Sequence, residues 1–123
     1  VRDLMRTHEA NPVVRESARV KTVLLAITKA RAGCASVVNP QGRLIGIFTD
    51  GDLRRHFDSA GTLTDRPVRE VMTRHPKTIG ADRLAAEALR LLREHRIDEL
   101  VVVDAKRHPV GLLDVQDLLK AGL

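Results

Sequence analysis

Three polar side chains that can bind a cation or a sugar follow an apolar run in the segment GIFTDGDLRR, residues 46–55. Thr49, Asp50 and Asp52 place one hydroxyl and two carboxylates within four positions. Such a group can ligate a metal, cap a helix or accept hydrogen bonds from sugar hydroxyls. Each of these sites belongs to a different kind of protein, so the rest of the sequence has to separate them.

Metal binding has little support from the pattern. A calcium loop of the EF-hand type needs oxygen ligands at alternating positions and a distant glutamate, but the segment after Asp52 is apolar and basic. The five histidines have no zinc-site spacing. Magnesium on Asp50 and Asp52 is the remaining metal hypothesis, and we predict that the chain has no metal site.

The charge balance permits an anionic partner without identifying one. The net charge is +5 and the pI is about 10.1, which suits a nucleotide, a phosphosugar or a nucleic acid. The 21 basic residues are scattered among 16 acidic ones and aromatic residues make up 2%. Because nucleic-acid binding requires a basic face and stacking platforms, we predict no nucleic-acid partner. No nucleophile and base stand at a recognisable spacing, so we predict no catalytic residues.

Cysteine and hydropathy patterns place the chain in the cytoplasm. Cys34 lies in the apolar segment CASVV and has no second cysteine to pair with, so we expect a buried structural thiol. The N-terminus has no signal-peptide pattern, and no apolar run approaches the roughly 20 residues that span a bilayer. We therefore predict a cytoplasmic chain with no membrane partner.

The sequence repeats itself once. VRDLM at residues 1–5 returns as VREVM at residues 68–72, an offset of 67. RAGCASVVN (31–39) matches RIDELVVVD (96–104), and LIGIFTDGDLRR (44–55) matches PVGLLDVQDLLK (109–120), both at an offset of 65. A duplication in the same order indicates two copies of one supersecondary unit. We place repeat 1 at residues 1–59, a linker at 60–67 within the polar stretch 58–67, and repeat 2 at 68–123.

Hydrophobic periodicity gives the elements within each repeat. Apolar residues at helical spacing predict a helix over about 82–95 in repeat 2 and its counterpart in repeat 1. Each helix precedes a β-branched run, a short polar turn, a second strand and a final helix. Since so short a turn makes a hairpin, the sheets must be mixed, and the fold class is α+β, with the two repeats packed sheet to sheet. The predicted helix stripes are Leu84, Ala88, Leu91 and Leu92, and Val20, Val23, Leu24 and Ile27.

Helix capping is the structural alternative for the opening segment. Thr49 and Asp52 fit a capping-box variant, and Asp114 and Asp117 are the equivalent pair in repeat 2. Capping does not require the preceding apolar residues or the glycine that stands before them in both repeats. The pattern is therefore more particular than a helix start demands.

A duplicated unit of this length, ending in a glycine, two apolar residues and T-x-x-D, resembles the cystathionine β-synthase (CBS) domain pair over the whole chain. The resemblance implies nucleotide binding in clefts between the repeats, with the Asp on ribose hydroxyls and the Thr near a phosphate. It implies that Asp52 and Asp117 accept from ribose hydroxyls and that Thr49 contacts a phosphate. Asp114 replaces Thr in repeat 2, and its charge opposes a phosphate there.

The segments VRDLM, GIFTDGDLRR and DLLKAGL narrow the resemblance to the C-terminal CBS pair of KpsF/GutQ-type arabinose 5-phosphate isomerases. In that family a sugar isomerase (SIS) domain, which is absent from this sequence, precedes the pair and acts in the lipopolysaccharide pathway to 3-deoxy-D-manno-octulosonate. The resemblance implies a regulatory module that is not itself an enzyme. It also implies the protein's own SIS domain and a second copy of the chain as partners.

Repeat symmetry in the CBS family implies which residues share a cleft. The first cleft would be formed by Thr49, Asp50, Asp52, Lys77, Thr78, Ile97 and Asp98, with Lys77 on a phosphate and Ile97 on a base. The second, weaker cleft would be formed by Pro12, Val13, Ala32, Gly33, Asp114 and Asp117. No cofactor is implied, and the candidate regulatory ligands are an adenine nucleotide or a cytidylyl-activated sugar. The alternative from another class is a structural dimerisation module with empty clefts.

Overall fold

The computed structural model describes residues 1–57 and 62–123. The predicted linker at 60–67 therefore lies partly outside the described residues. From residue 63 the chain forms a 3₁₀ helix, Leu63–Asp65, whose Leu63 is buried against the first repeat. This end of the linker is packed structure.

Both repeats have the predicted order of strand, helix, strand, strand and helix, and repeat 2 has one additional short strand at its start. Repeat 1 contains β1 (Val13–Arg15), α1 (Val20–Ala30), β2 (Cys34–Val38), β3 (Leu44–Thr49) and α2 (Asp50–His56). Repeat 2 contains β4 (Thr73–Arg74), β5 (Thr78–Gly80), α3 (Ala85–His95), β6 (Glu99–Val103), β7 (Pro109–Asp114) and α4 (Val115–Lys120). Two further 3₁₀ helices cover His8–Ala10 and Val68–Glu70. No helix among the described residues is long and apolar enough to cross a membrane.

The two sheets are mixed, as predicted. One has the order β1-β2-β3-β4 and the other β5-β6-β7. In each, the entry strand runs parallel to the central strand, which forms an antiparallel hairpin with the next. The hairpin turns are closed by Asn39 and Asp104, whose side-chain oxygens accept from backbone N–H groups two and four residues further on. The fold class is therefore the mixed α+β architecture that the sequence predicts.

The start of α3 differs from the prediction. The helix begins at Ala85 rather than near Asp82, and Leu84 is its N-cap residue in an extended conformation. Leu84 is 67% exposed, whereas Ala88 and Leu92 are buried. The prediction that Leu84 belongs to the buried stripe is wrong, because a residue before the first turn does not share the face of the helix that follows.

A shared core joins the sheets. Each repeat has its own apolar cluster, and a third cluster lies between them. It contains Cys34, Leu44 and Ile47 from the first sheet and Val101 and Leu112 from the second. The predicted sheet-to-sheet packing is therefore present, and Cys34 is buried as expected.

The segments that precede the entry strands β1 and β5, residues 1–6 and 68–74, pack against the opposite repeat. We call them the entry segments. Val1, Leu4 and Met5 pack against the core of repeat 2, whereas the 3₁₀ helix Val68–Glu70 and the residues after it pack in the core of repeat 1. β4 pairs with β3 of repeat 1, and Arg6 makes the equivalent bridge to Leu112. This exchange brings residues of each entry segment to the N-terminus of the last helix of the other repeat, α2 or α4. We call these two places the first and the second corner.

Candidate functional site

A cavity of about 700 Å³ lies where the N-terminus of α2 meets the segment after β4 and the start of β6. We call it the first cleft. Residues of both repeats form its wall, because the exchanged entry segment brings the second repeat against α2. The lining residues are Gly33, Ile47, Thr49, Asp50, Gly51, Arg54, Arg55, Thr73, His75, Pro76, Lys77, His95, Ile97, Asp98 and Glu99.

Most of the residues predicted for this cleft do line it. The structure brings together Thr49, Asp50, Lys77, Ile97 and Asp98 although they are up to 49 positions apart, from residue 49 to residue 98. The predicted Thr78 lies on β5, where it pairs with Val101 of β6, and Asp52 lies behind the wall. The arrangement places apolar, cationic and carboxylate groups around one space.

The carboxylate of Asp52 is part of a helix cap. One of its oxygens accepts from the backbone N–H of Thr49 at 2.9 Å and from the Thr49 hydroxyl at 3.1 Å. In return, the backbone N–H of Asp52 donates to the Thr49 hydroxyl at 3.3 Å. The predicted capping box at the start of α2 is therefore present.

The second oxygen of Asp52 is also occupied. It accepts from the Thr73 hydroxyl at 2.6 Å and from the guanidinium of Arg55. Asp52 is 1% exposed, whereas the Arg55 side chain is 61% exposed. A ribose hydroxyl that bound this carboxylate would have to share it with these donors or replace one of them.

The charges of the first cleft are divided between its mouth and its inner wall. Arg54, Arg55 and Lys77 are exposed cations that border the space. Half-buried Ile97 and Glu99 form part of the inner wall. A ligand with an anionic end and a flat apolar body fits this division, with the anion outermost.

Glu99 is the most perturbed carboxyl of the cleft. Burial first, and then the nearby carboxylates of Asp114, Asp98 and Asp50, together raise its pKa to about 7. The same surroundings act on Cys34, because burial first and Glu99 second raise the pKa of its thiol. Cys34 is therefore a neutral core residue rather than a nucleophile.

The corner of repeat 2 is built differently. Asp114 caps α4 by accepting from the backbone N–H of Gln116 at 2.8 Å. Asp52 accepts from the backbone N–H of its N-cap residue, but Asp117 makes no such bond to Asp114. Its carboxylate accepts from Arg6 at 2.9 Å instead. The prediction of a second capping box is wrong, because two carboxylates repel one another and Arg6 supplies a donor for Asp117.

Arg6 fills the second corner. Its guanidinium also donates to the carbonyl of Arg31 at 2.9 Å, at the end of α1. By the repeat offset Arg6 is equivalent to Thr73 (6 + 67 = 73), which donates to Asp52. The sequence analysis missed Arg6. The available signal was its position directly after VRDLM, which matches the position of Thr73 directly after VREVM.

The structure disperses the other residues predicted for the second cleft. Pro12 and Val13 line a separate cavity of about 760 Å³ beside Pro109 and Val110. Ala32 packs against the cluster between the sheets. Gly33 lines the first cleft, where a Cβ would approach Glu99 Oε1 to 2.8 Å and Asp114 Oδ2 to 3.8 Å.

Metal ligation has no geometric basis in the part of the chain that the structure describes. No three His, Cys, Asp or Glu side chains there are grouped so that they could hold an ion. The two oxygens of Asp52 are already engaged by the helix cap, Thr73 and Arg55. These residues do not fit the magnesium hypothesis.

Comparison with known proteins identifies the family. The CBS domain profile matches residues 1–59 and 68–123. The chain belongs to the CBS domain family. It is 42% identical over 123 residues to the arabinose 5-phosphate isomerase KdsD of Pseudomonas aeruginosa, covering 100% of this chain and 38% of that relative. The chain thus spans little more than a third of that protein's length.

Solved CBS pairs have the same fold. The CBS pair of protein MJ0100, in complex with 5′-methylthioadenosine and S-adenosyl-L-methionine, superposes with a TM-score of 0.86 at 20% identity, covering 99% of this chain and 94% of that one. CBSX2 in complex with AMP superposes with a TM-score of 0.84 at 25% identity, covering 98% and 93%. The resemblance to a CBS pair and to the matching region of arabinose 5-phosphate isomerases is confirmed.

Proposed function

We propose that this CBS pair is a regulatory module that binds one nucleotide or nucleotide sugar per chain, in the first cleft. The observation that carries the proposal is the convergence of Lys77, Ile97 and Thr49 on one cavity from three separate segments. Lys77 and the cations of α2 meet the phosphate, and Ile97 packs on the base. Vicinal ribose hydroxyls replace the guanidinium of Arg55 on Asp52, since a carboxylate accepts from two hydroxyls at once.

The second corner does not bind a nucleotide in this proposal. The ion pair between Arg6 and Asp117 occupies the position that corresponds to the ribose contact. Asp114 adds a negative charge where Thr49 stands in the first cleft. Like charges 4 Å apart repel by roughly 4 kcal/mol at an effective dielectric constant near 20, so a phosphate is disfavoured there.

The parent protein in this proposal is a sugar-phosphate isomerase. The match to KdsD over the whole chain supports it. Its SIS domain would be the partner that the CBS pair regulates, in the cytoplasm. Adenine nucleotides are the ligands of solved CBS pairs such as CBSX2, and a cytidylyl-activated sugar is the other candidate.

A second copy of the chain is the proposed structural partner. Large apolar side chains stand exposed on the helices or just after them, among them Leu25 at 70%, Phe57 at 69% and Leu119 at 49%. Association would remove these surfaces from water. Sedimentation equilibrium measures the assembly directly, and a monomer at all concentrations would contradict this partner.

A thermal-shift panel tests nucleotide binding against the structural alternative. A ligand at a hundredfold excess over its Kd adds about 2.7 kcal/mol to the free energy of unfolding. We expect AMP or CMP to raise the melting temperature and ribose 5-phosphate to raise it less, because the sugar phosphate lacks a base for Ile97. No shift with any nucleotide would favour a module that only dimerises.

A further inference from the structure

Glu99 has an unusual place in the first cleft, on the inner wall that the proposed nucleotide base would face. It starts β6, directly opposite Asp114 of β7 in the ladder. Within residues 1–57 and 62–123, no hydrogen-bond donor or cation is paired with the Glu99 carboxyl group. The residue is nevertheless half-buried and lines the cavity. Since a half-buried carboxyl is costly to leave unpaired, its position calls for a partner with N–H groups.

The surroundings of Glu99 are electronegative on several sides. Asp98 precedes it on the chain, Asp114 faces it from β7 and Asp50 lies on α2; all three raise its pKa. The buried thiol of Cys34 lies on β2 of the other sheet, in the cluster between the two sheets, and Glu99 is one of the groups that raise its pKa. An exocyclic amine is attracted to such a wall, whereas an exocyclic carbonyl oxygen is repelled by it.

The cations and histidines near the cleft do not neutralise Glu99 by contact. Arg6 is held by Asp117 and by the carbonyl of Arg31. Arg55 is bound to Asp52, and the remaining charged or titratable neighbours are exposed at the mouth. These are Arg54, His75, Lys77 and His95.

We propose that Glu99 selects the base of the bound nucleotide, favouring bases that carry an exocyclic amine beside an unprotonated ring nitrogen over their keto counterparts. This inference rests on the proposed function and assigns a specificity-determining residue to its cleft. At the Watson–Crick edge this class comprises adenine and cytosine, because guanine has a carbonyl oxygen and a ring N–H there. Inosine and uridine present a carbonyl oxygen beside a ring N–H at the same edge and are disfavoured.

The ionised form of Glu99 provides this selection, because a carboxylate can only accept hydrogen bonds. It accepts from the exocyclic amine of the base and repels a carbonyl oxygen at the same place, whereas a neutral carboxyl has both a donor and an acceptor and pairs with either kind of base. The Glu99 pKa of about 7 makes the carboxylate the main form at higher pH, so the selection should be stronger at about pH 8 than at about pH 6. Gly33 leaves room for this group, because a Cβ there would approach Glu99 Oε1 to 2.8 Å.

Matched nucleotide pairs test the selection by calorimetry. AMP against IMP, and CMP against UMP, differ at this edge by amine or carbonyl and by the ring proton. An unpaired donor or acceptor in a buried contact weakens binding by at least about fivefold, so we expect the wild type to favour AMP and CMP by at least that factor. Glu99→Gln should bring both ratios within about twofold, because a carboxamide can turn either its donor or its acceptor to the base.

Control measurements separate this inference from the function it rests on. Glu94→Gln, on the exposed surface of α3 and outside the cleft, should leave both ratios at their wild-type values. Nucleotide binding with equal affinity for amine and keto bases, or ratios that persist in Glu99→Gln, would overturn the role of Glu99 alone. Failure of all four nucleotides to bind the wild type would overturn the proposed function and this inference with it.

Discussion

At the residue scale, Asp52 and Asp117 show how one residue type in equivalent positions acquires two roles. Asp52 is buried and accepts hydrogen bonds from Thr49, Thr73 and Arg55. Asp117 is partly exposed and pairs with Arg6. The duplicated sequence predicts equal costs for losing either carboxylate, whereas these contacts predict unequal ones.

We predict that Asp52→Ala destabilises the protein by about 2–4 kcal/mol, because a helix cap is lost and buried donors are left unpaired. Asp117→Ala should cost about 1 kcal/mol or less, as expected for a partly exposed ion pair. Urea unfolding of the two variants measures both values. Equal losses would show that the buried hydrogen bonds of Asp52 contribute no more than the partly exposed ion pair of Asp117.

Lys77 is an exposed residue whose predicted role is in binding alone. Lys77→Ala should weaken nucleotide binding by about tenfold, because a charge-assisted hydrogen bond to phosphate is lost. The melting temperature of the free protein should hardly change, since surface substitutions usually cost within about 0.5 kcal/mol. Lys106→Ala, in the exposed turn after β6, is the matched control and should bind normally. A large loss of stability in Lys77→Ala would mean that Lys77 is structural.

Glu99 should make stability depend on pH. Its folded-state pKa of about 7 lies above the ordinary value of 4.5, so the folded state holds the proton more tightly than the unfolded state. Its ionisation therefore costs nothing below about pH 4.5, and stability falls as the pH rises toward 7. Glu99→Gln removes this cost, and its gain in melting temperature over the wild type should be larger at about pH 8 than at about pH 5. An equal gain at both values would contradict the raised pKa.

At the element scale, the exchanged entry segments depend on two glycines. A Cβ on Gly46 would meet the sulfur of Met72 and lie 3.0 Å from the carbonyl oxygen of Thr73. A Cβ on Gly111 would meet Met5 in the same way and lie 3.1 Å from the carbonyl oxygen of Arg6. These glycines let each entry segment approach the opposite sheet.

We therefore predict that Gly46→Ala and Gly111→Ala each destabilise the protein by about 1–3 kcal/mol through overpacking. Thermal or urea unfolding measures the loss. Gly51→Ala is the control, because a Cβ in α2 meets its nearest atoms, from Arg55 and Thr49, at 3.4 and 3.5 Å. It should be neutral or stabilising. Tolerance of alanine at both Gly46 and Gly111 would mean that the segments can shift without cost.

Local features of the sequence predicted the helices and strands, but they did not predict that the entry segments are exchanged between the repeats. The cap of α2 could be predicted because Thr49 and Asp52 are three residues apart and satisfy one another. Arg6 and Asp117 are 111 residues apart, and their ion pair depends on a tertiary exchange that no periodicity records. Glu99 was missed for a similar reason, since its raised pKa arises first from burial in the folded chain and then from carboxylates that include those on α2 and β7.

At the scale of the whole molecule, the duplication produces one open cleft and one corner that is filled by an ion pair. The shared apolar cluster and the exchanged entry segments hold the repeats in a fixed relation. At the first corner Asp52 is bound by the small side chain of Thr73 and by the exposed Arg55. At the second corner Arg6 occupies the corresponding space and binds Asp117. Pseudo-symmetry of the fold therefore does not imply two equivalent sites.

The central claim is that one nucleotide binds per chain, at the corner of Asp52. The most direct test is a calorimetric titration of AMP and CMP into the wild type, Asp52→Ala and Asp117→Ala, with folding of both variants checked by circular dichroism. We predict one site per chain in the wild type, most of the affinity retained in Asp117→Ala, and binding abolished in Asp52→Ala. Two sites in the wild type, or unchanged binding in Asp52→Ala, would contradict the account.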